Sequence, residues 1–422
     1  NVNGFGRVTY ESLYHGIDLS VYSENDAPKY DFIVQPGIDP SVIQLKYKGL
    51  DDLYVYNNIL YLETSIGFLQ EDVPIAYQMI DGVKSNVAIN YQLHCDTLSF
   101  QFPDGYNEQY ELGIDPLLIF STYSGSTADN WGNSATPGEN GTLFSAGVTN
   151  HNNAGGTFPT TTGAYQTSWG GEYDAAIIKF DSIGSNMIFA TYLGGQFAET
   201  PHSIVMDNNN DLIVVGTTSS LNFPTTADAF DRTFNGGIRL QVTVDYLIGS
   251  DLFICKLSGD GTQLLNSTFV GGSGNDGLNE SASPLTRNYG DQLRGDVTID
   301  DANNVYVAST TASSDFPIVN GFQSTLRGVG THDAVAMKFN STLSQLEWSS
   351  FIGGVGEDAA LSIQLDMDDN LYLAGGTSSD DFPTTIDAFQ TSHNGNVDGW
   401  VVHIDLEADS ILQGTYIGSS GN

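Results

Sequence analysis

The chain has 422 residues, and 51 acidic residues against 13 basic ones give it a formal net charge of −38. So few Lys and Arg residues exclude a nucleic-acid-binding protein, because phosphate recognition needs clustered positive charge. The sequence has no run of about 18 apolar residues, which excludes a membrane-spanning helix. The acidic composition suits a soluble, extracellular protein. The length allows two domains, and 47 glycines favour an all-β chain with tight turns.

Residues 1–116 contain no internal repeat but many short strands with alternating apolar residues. The segments 30–34 and 87–93 are two of them. Asp81 and Gly82 separate two alternating runs, which is the strongest sequence signal for a β-hairpin. We predict an antiparallel, β-sandwich-like domain here.

Residues 117–422 are built from a repeated unit. Each unit contains an apolar strand and a Phe-Pro phrase, whose phenylalanines are Phe158, Phe223, Phe316 and Phe382. An Asp/Asn-rich turn precedes the apolar strand in the last three units, whereas Thr136-Pro-Gly-Glu-Asn-Gly141 replaces it in the first. Repeated units of about four short strands are typical of the blades of a β-propeller. We predict units at about 117–180, 181–257, 258–339 and 340–406, with the start of a fifth at 407–422. Two units carry insertions, near residues 235–248 and 277–292, which we expect to emerge on one rim as functional loops.

Each unit closes on an aspartate with a basic residue five positions later. The pairs are Asp174 with Lys179, Asp251 with Lys256, Asp333 with Lys338, and Asp398 with His403. On a flat strand, residues five apart point to opposite faces. We therefore interpret these residues as structural, with the aspartates suited to hydrogen bonds between neighbouring blades.

The repeats resemble the SBBP (seven-bladed β-propeller) repeats of secreted bacterial proteins. The resemblance rests on Ala190-Thr-Tyr-Leu-Gly-Gly195, Asn370-Leu-Tyr-Leu-Ala-Gly-Gly-Thr377, Asp381-Phe-Pro-Thr-Thr385 and Ala388-Phe-Gln390. The first 116 residues are similar to the domain of unknown function that commonly precedes such repeats, through Tyr14-His-Gly-Ile-Asp-Leu19 and Tyr30-Asp-Phe-Ile-Val-Gln-Pro-Gly37.

The resemblance implies an exported protein of Bacteroidota or their relatives. Many such proteins end in domains that engage the type IX export machinery or in gliding-associated modules, which would lie beyond Asn422. The family offers no established catalytic residues. Four units cannot close a seven-bladed propeller, so either further repeats follow Asn422 or strands from elsewhere complete it.

The Asp/Asn turns raise the question of a calcium site. Asp366, Asp368 and Asn370 have the spacing that opens an oxygen-ligand loop. The loop then lacks the expected glycine, having Leu371 instead, and Thr377 replaces the closing glutamate. Asp and Asn also bond their own backbone in turns, so hairpin turns explain the pattern without a metal.

Other candidate sites are few. No hydrolase or phosphate-loop motif occurs, and the seven histidines show no metal-ligand spacing, so we predict no catalytic residue. Trp131, Trp169 and Tyr173 could stack on sugar rings, although core packing also accounts for them. The two cysteines, Cys95 and Cys255, fall in different predicted domains, which favours two buried thiols.

Three functional hypotheses follow. The first is a non-enzymatic binding or scaffold module, secreted or on the outer cell surface, whose rim loops contact a protein or glycan. The second is an enzyme acting on polysaccharide, or its carbohydrate-binding module. The third is a passenger with an inert surface, whose contacts are made by a region beyond Asn422.

Overall fold

The fold was established from a computed structural model of the chain. Its description covers residues 7–24, 27–46, 52–56, 58–64, 67–71, 73–80, 82–94, 96–115, 124, 126–150, 156–182, 184, 186–279, 283–286, 291–328, 331–407 and 409–419. The chain divides into two compact units. The first consists of Asn1–Tyr123, Asn140–Thr142 and Asp181–Asn186. The second consists of Ser124–Glu139, Leu143–Phe180 and Met187–Asn422.

The first unit contains twelve strands within its described residues. They are β1 (Arg7–Tyr14), β2 (Ile17–Glu24), β3 (Ala27–Val34), β4 (Leu45–Lys46), β5 (Asp52–Tyr56), β6 (Ile59–Thr64), β7 (Gly67–Glu71), β8 (Ile75–Ile80), β9 (Val83–Val87), β10 (Asn90–His94), β11 (Thr97–Gln101) and β12 (Leu112–Asp115). They form antiparallel sheets of order β1-β2-β3-β12-β8-β9, β10-β11-β4 and β5-β6-β7. A short 3₁₀ turn, Pro40–Val42, precedes β4.

Alternating apolar side chains from all three sheets form the core of the first unit. Ile17, Phe32, Leu60 and Leu98 are buried within it. The hairpin predicted around residues 81–82 is confirmed, because Ile80 of β8 pairs with Val83 of β9. Asp81 itself lies outside the described residues. The antiparallel, β-rich first domain is thus as the sequence predicts.

The second unit consists mainly of four antiparallel sheets of four strands, which we call blades 1 to 4. Blade 1 contains β13 (Asp129–Pro137), β14 (Leu143–Asn150), β15 (Asp174–Phe180) and β16 (Met187–Leu193). Blade 2 contains β17 (Glu199–Met206), β18 (Leu212–Thr218), β21 (Asp251–Leu257) and β22 (Leu264–Val270). Blade 3 contains β23 (Asp296–Ile299), β24 (Val305–Thr311), β25 (Asp333–Phe339) and β26 (Leu346–Ile352). Blade 4 contains β27 (Asp358–Leu365), β28 (Leu371–Thr377), β29 (Asp398–Asp405) and β30 (Ser410–Ile417).

The short hairpin of β19 (Leu240–Gln241) and β20 (Asp245–Tyr246) lies between β18 and β21. Two 3₁₀ turns, Glu139–Gly141 and Asp291–Leu293, complete the described elements. The prediction of an all-β chain with four-stranded blades is confirmed.

The blades stack because each strand points alternate side chains forward and backward. In β18, Leu212 and Val214 pack against blade 1, whereas Ile213 and Val215 pack against blade 3. Both faces of the middle strands are therefore buried, which explains why these strands are apolar at nearly every position.

The first strands of successive blades, which are edge strands of their sheets, lie next to each other. The carboxylate of Asp296 in β23 accepts hydrogen bonds from the Ser203 hydroxyl (2.9 Å) in β17 and from the Ile363 amide (3.1 Å) in β27. The Asp296 side chain thus connects the first strands of blades 2, 3 and 4.

The blades are offset from the sequence units by one strand. The aromatic strand that opens each sequence unit, such as the one containing Tyr192, forms the outermost strand of the preceding blade. Residues 407–422 accordingly supply β30, the outer strand of blade 4. The first such segment, residues 121–123, lies outside the described residues.

Antiparallel order places the connections on two rims. The Phe-Pro loops, the glycine pairs after each outer strand and both insertions lie on one, which we call the loop rim. The Asp/Asn turns and the third-to-fourth-strand turns lie on the other, the turn rim.

Candidate functional site

The recurrent aspartate begins the third strand of every blade, at the loop rim. In blade 2, the Asp251 carboxylate accepts hydrogen bonds from the amides of Asn235 (2.7 Å) and Gly236 (2.8 Å). In blade 3, Asp333 Oδ2 accepts from the Arg327 amide and from the Gln323 side chain, both at 3.0 Å. Asp174 and Asp398 are bonded in the same way. Each aspartate thereby closes the long loop that precedes its own strand.

A second acid follows each of the first three aspartates after 25 residues. The pairs are Asp174 with Glu199, Asp251 with Asp276, and Asp333 with Asp358. Each second acid lies beside a threonine at the end of its blade's second strand. The hydroxyl of that threonine bonds the acid in blades 2 and 3.

The two acids of a pair enclose the first glycine of a Gly-Gly linker between blades. A Cβ atom on Gly194 would lie 2.5 Å from Glu199 Oε2 and 2.6 Å from Asp174 Oδ1. The amide of the second glycine, Gly195, donates to Glu199 at 2.8 Å. Gly271 and Gly353 are enclosed in the same manner. Only glycine leaves room for both carboxyl groups at this junction.

Burial raises the pKa of these acids. The pKa of Asp174, Glu199, Asp251 and Asp333 is raised to about 7, chiefly through desolvation. The neighbouring carboxylate raises it further for Glu199 and Asp333. Burial also raises the pKa of Asp276 and Asp358. The four acids whose pKa is about 7 are therefore partly protonated near neutral pH, which reduces the repulsion within each pair.

The acid pairs are inaccessible to a substrate. All six acidic residues have relative exposures of 0%. Backbone amides and hydroxyl groups of the surrounding loops donate hydrogen bonds to most of their carboxylate oxygens. Raised pKa values are typical of catalytic acids, but a catalytic acid must also touch its substrate. The arrangement joins one blade to the next.

Two of the three recurrent lysines reach from one blade to the next at the turn rim. Lys179 Nζ donates to the Gly259 carbonyl (3.0 Å) in blade 2, and Lys256 Nζ donates to the Ser341 carbonyl (2.9 Å) in blade 3. Lys256 also pairs with buried Asp207 at 2.9 Å. Lys338 lies 3.8 Å from Glu347 within its own blade.

The four phenylalanines of the Phe-Pro phrases are 3–4% exposed. Phe223, Phe316 and Phe382 each lie in the apolar cluster between their own blade and the preceding one. Phe158 contacts Tyr192, with ring centroids 5.4 Å apart. The phrase thus positions an aromatic side chain on the backward face of each blade.

The candidate calcium turn is closed by its own hydrogen bonds. Asp366 Oδ1 accepts from the amides of Asp368 (2.8 Å) and Asn370 (2.9 Å), and His403 Nε2 lies 2.9 Å from Asp366 Oδ2. These bonds lower the pKa of Asp366 to about 2. Within the described part of the chain, no three His, Cys, Asp or Glu side chains converge as the ligands of an ion would.

Two of the three candidate sugar-stacking residues come together. The rings of Trp131 and Tyr173 have centroids 6.3 Å apart and are tilted by 49°. Trp169 lies in the loop before β15 and is 38% exposed. Of the two cysteines, Cys255 is a buried free thiol whose pKa burial raises to about 12. Cys95 lies outside the described residues.

The two insertions contact each other at the loop rim. Val244 and Tyr246 of the first pack with Leu278 and Leu293 of the second in one apolar cluster. The Tyr246 hydroxyl bonds Thr200 and lies 2.8 Å from Thr217, which anchors the insertion to blade 2. The sequence located both insertions but carried no signal that they meet.

The family match covers the first unit, whereas the similarities to solved structures extend over most of the chain. Residues 1–117 match the family model of a domain of unknown function, DUF7948. None of the curated proteins matches the chain. A Dyadobacter fermentans protein of unknown function is similar over 90% of this chain and 88% of its own, with 10% identity and a TM-score of 0.35. A presumed hydrolase of Bacteroides ovatus is similar over 83% of this chain and 85% of its own, with 9% identity and a TM-score of 0.25. Neither similarity indicates a function. Among the described residues, no helix has the length and apolar character needed to cross a bilayer.

Proposed function

We propose that the chain is a non-enzymatic, exported binding or scaffold module whose blades are repeats of the SBBP type. One observation carries the proposal: the recurrent acids and lysines are used inside the stack, where they join strands, loops and blades. Asp251, Asp333 and Asp358 are fully buried. The residues that recur most regularly therefore stabilise the scaffold, and recognition falls to the loops that vary.

The loop rim is the proposed recognition surface. Both insertions lie there, and Ile238 of the first insertion is 73% exposed. Leu221, in the Phe-Pro loop of blade 2, is 61% exposed. Exposed apolar side chains on rigid loops suit a protein or glycan partner at the cell surface.

The resemblance of the repeats extends the proposal to location. We place the protein outside the cell or on its outer surface, as a substrate of the type IX export machinery that serves adhesion or gliding. A region beyond Asn422 would engage that machinery. The net charge of −38 favours solubility of such an exported chain.

A polysaccharide-acting enzyme is the second candidate, favoured by the contact of Trp131 with Tyr173 near the loop rim. Aromatic rings are the usual platform for sugars, and acids with raised pKa serve as proton donors in glycosidases. The burial of the acid pairs opposes this candidate.

Binding of the fluorescently labelled chain to cells of its source organism that lack the gene tests the proposal. We expect the double variant Ile238→Ser/Leu221→Ser to bind less than the wild type. Ile188→Ser is the matched control, since Ile188 is 46% exposed but is the second residue of β16, at the turn rim. Equal binding by all three proteins would contradict the proposal. Polysaccharide cleavage that Asp333→Asn abolishes would establish the enzyme instead.

A further inference from the structure

The two insertions of the loop rim begin at the two acids of one pair. Asn235 and Gly236, where the first insertion begins, donate their amides to the Asp251 carboxylate at 2.7 and 2.8 Å. Gly277, where the second insertion begins, directly follows Asp276 in the chain. The junction between blades 2 and 3 is therefore the base of both insertions.

Asp276 also holds the chain just after the first insertion. Its amide donates to the Ser250 carbonyl and its carbonyl accepts from the Ser250 hydroxyl, both at 2.9 Å. Its carboxylate accepts from the Gly272 amide (2.8 Å) and from the Thr311 hydroxyl. Asp251 and Asp276 together thus fix both ends of the first insertion and the start of the second.

The two carboxyl groups face each other across Gly271. A Cβ atom on this glycine would lie 2.6 Å from Asp276 Oδ2 and 2.9 Å from Asp251 Oδ1. Both acids are 0% exposed. Ionisation of both acids therefore places two like charges side by side where water does not screen them.

This pair differs from the others by a third acid. The amide of Asp231 accompanies a hydroxyl of the outer strand of its blade, a contact made in the other blades by Gln166, Gln323 and Gln390. The side chain of each glutamine donates to the recurrent aspartate of its blade. A carboxylate has no hydrogen to donate. Burial is the main cause of the raised pKa of Asp251, and the Asp231 carboxylate raises it further.

A fourth acid lies at the linker of the same junction. Asp315, in the Phe-Pro loop of blade 3, accepts from the amide (2.8 Å) and the hydroxyl (3.0 Å) of Ser273. The bond from the Ser273 amide is the main cause of the lowered pKa of Asp315. Asp315 therefore stays negatively charged at the pH where the buried pair ionises.

We propose that protonation of Asp251 and Asp276 controls how firmly the two insertions are held, so that the loop rim is ordered at acidic pH and less ordered at higher pH. Opening the base of the insertions exposes both carboxyl groups to water and relieves their repulsion. Control of binding rests on the proposed function, because both insertions belong to the proposed recognition surface.

The direction of the effect follows from the raised pKa values of the two acids. The pKa of Asp251 is raised from 3.8 to about 7, and that of Asp276 is raised well above 3.8. The contribution of Asp251 to the closed base is fully present below pH 3.8 and is lost as the pH rises to about 7. Asp276 acts in the same direction.

Amide hydrogen exchange of the 422-residue chain at pH 5.0 and pH 7.5, corrected for the intrinsic exchange rate at each pH, measures how firmly the first insertion is held. We expect the protection of the amides of residues 237–248 to fall by about tenfold or more between these pH values. Asp276→Asn should remove most of this fall, because Asn keeps an acceptor for the Gly272 amide without taking a charge.

Two further variants complete the comparison. Asp231→Gln introduces the residue found in the other three blades and should reduce the fall in protection. Asp301→Asn, at an exposed position of the turn rim, should retain the wild-type fall. Equal protection of the wild type at both pH values would overturn the proposal. An equal fall in the wild type and in both Asp276→Asn and Asp231→Gln would overturn it as well.

Binding of the labelled chain to cells at the same two pH values separates this proposal from the proposed function. The wild type should bind more at pH 5.0 than at pH 7.5, and Asp276→Asn should bind equally at both. A pH-dependent protection without binding to cells would support the control by protonation and refute the recognition surface alone.

Discussion

At the scale of single residues, buried carboxyl groups connect neighbouring blades. Asp333 and Asp358 are buried on either side of Gly353, and each has one oxygen without a hydrogen-bond partner. Two adjacent buried acids are costly when both are ionised, so the fold favours their protonated forms. This preference links stability to pH.

The substitution Asp333→Asn should flatten that pH dependence. The pKa of Asp333 is raised to about 7 from an ordinary 3.8, so its contribution is fully present below pH 3.8 and is lost as the pH rises to about 7. The loss is up to about 1.4 kcal/mol per pH unit for one group. Asn keeps one acceptor oxygen for the Arg327 amide and places an NH₂ group where Oδ1 has no partner.

Urea denaturation between pH 4.5 and 7.5 measures this effect. The free energy of unfolding should fall less with pH for Asp333→Asn than for the wild type. Asp301→Asn, at an exposed turn, should retain the wild-type slope. Identical slopes for all three proteins would show that the buried pair does not titrate in this range.

A second prediction at this scale concerns the linker glycines, which lie too close to the paired acids to carry a side chain. In Gly353→Ala the new methyl group would lie 2.7 Å from Asp358 Oδ2 and 2.8 Å from Asp333 Cγ. We expect a loss of about 2–3 kcal/mol, the usual cost of overpacking. Gly132→Ala is the control, because no atom lies within 4 Å of its Cβ position. Chemical denaturation measures the free energy of unfolding of both variants. Equal values for Gly353→Ala and Gly132→Ala would refute the close packing around Gly353.

At the scale of elements, buried polar contacts tie the end of one blade to a turn of the next. Lys256 at the end of β21 contacts Asp207 and the Ser341 carbonyl with only 7% of its side chain exposed. The ammonium group thus links blade 2 to blade 3 while neutralising a fully buried carboxylate.

Replacing Lys256 with Met should cost about 3–5 kcal/mol, because Asp207 would remain buried without its counter-charge. The double variant Asp207→Asn/Lys256→Met should recover part of this loss. Lys46→Met breaks an exposed ion pair with Asp96 and should cost less than about 1 kcal/mol. Urea denaturation measures the loss of unfolding free energy for each variant. Equal losses for Lys256→Met and Lys46→Met would exclude a stabilising role for the buried contact of Lys256 with Asp207.

At the scale of the whole molecule, each blade depends on its successor for burial of its forward face. Phe322 of blade 3 lies in the cluster that contains Trp400 of blade 4. Phe389, at the corresponding position of blade 4, is 89% exposed.

Phe322→Ala should therefore destabilise the second unit by about 2–3 kcal/mol, somewhat less than a fully buried phenylalanine because the ring is only partly buried. Leu221→Ala, at a 61% exposed loop position, should have an effect within about 0.5 kcal/mol. Differential scanning calorimetry would show the change in the transition of the second unit. An unchanged transition for Phe322→Ala would mean that blades 3 and 4 do not stabilise each other through this contact.

The sequence by itself determined the all-β class, the four repeated units and the positions of their recurrent residues. Strand periodicity and turn chemistry are local, so Phe158, Phe223, Phe316 and Phe382 could be located without a structure. The constant interval between Asp333 and Asp358 was also visible in the sequence, although the prediction paired the first acid with a lysine instead.

Only the tertiary structure decided how the units divide into blades. A repeat has the same period wherever counting begins, so the sequence could not show that the strand of Tyr192 completes the preceding sheet. The meeting of the two acids at Gly353, and of the two insertions around Tyr246, depends on contacts between distant segments. Burial decides whether the acid pairs connect blades or can reach a substrate, and burial depends on how the blades pack together.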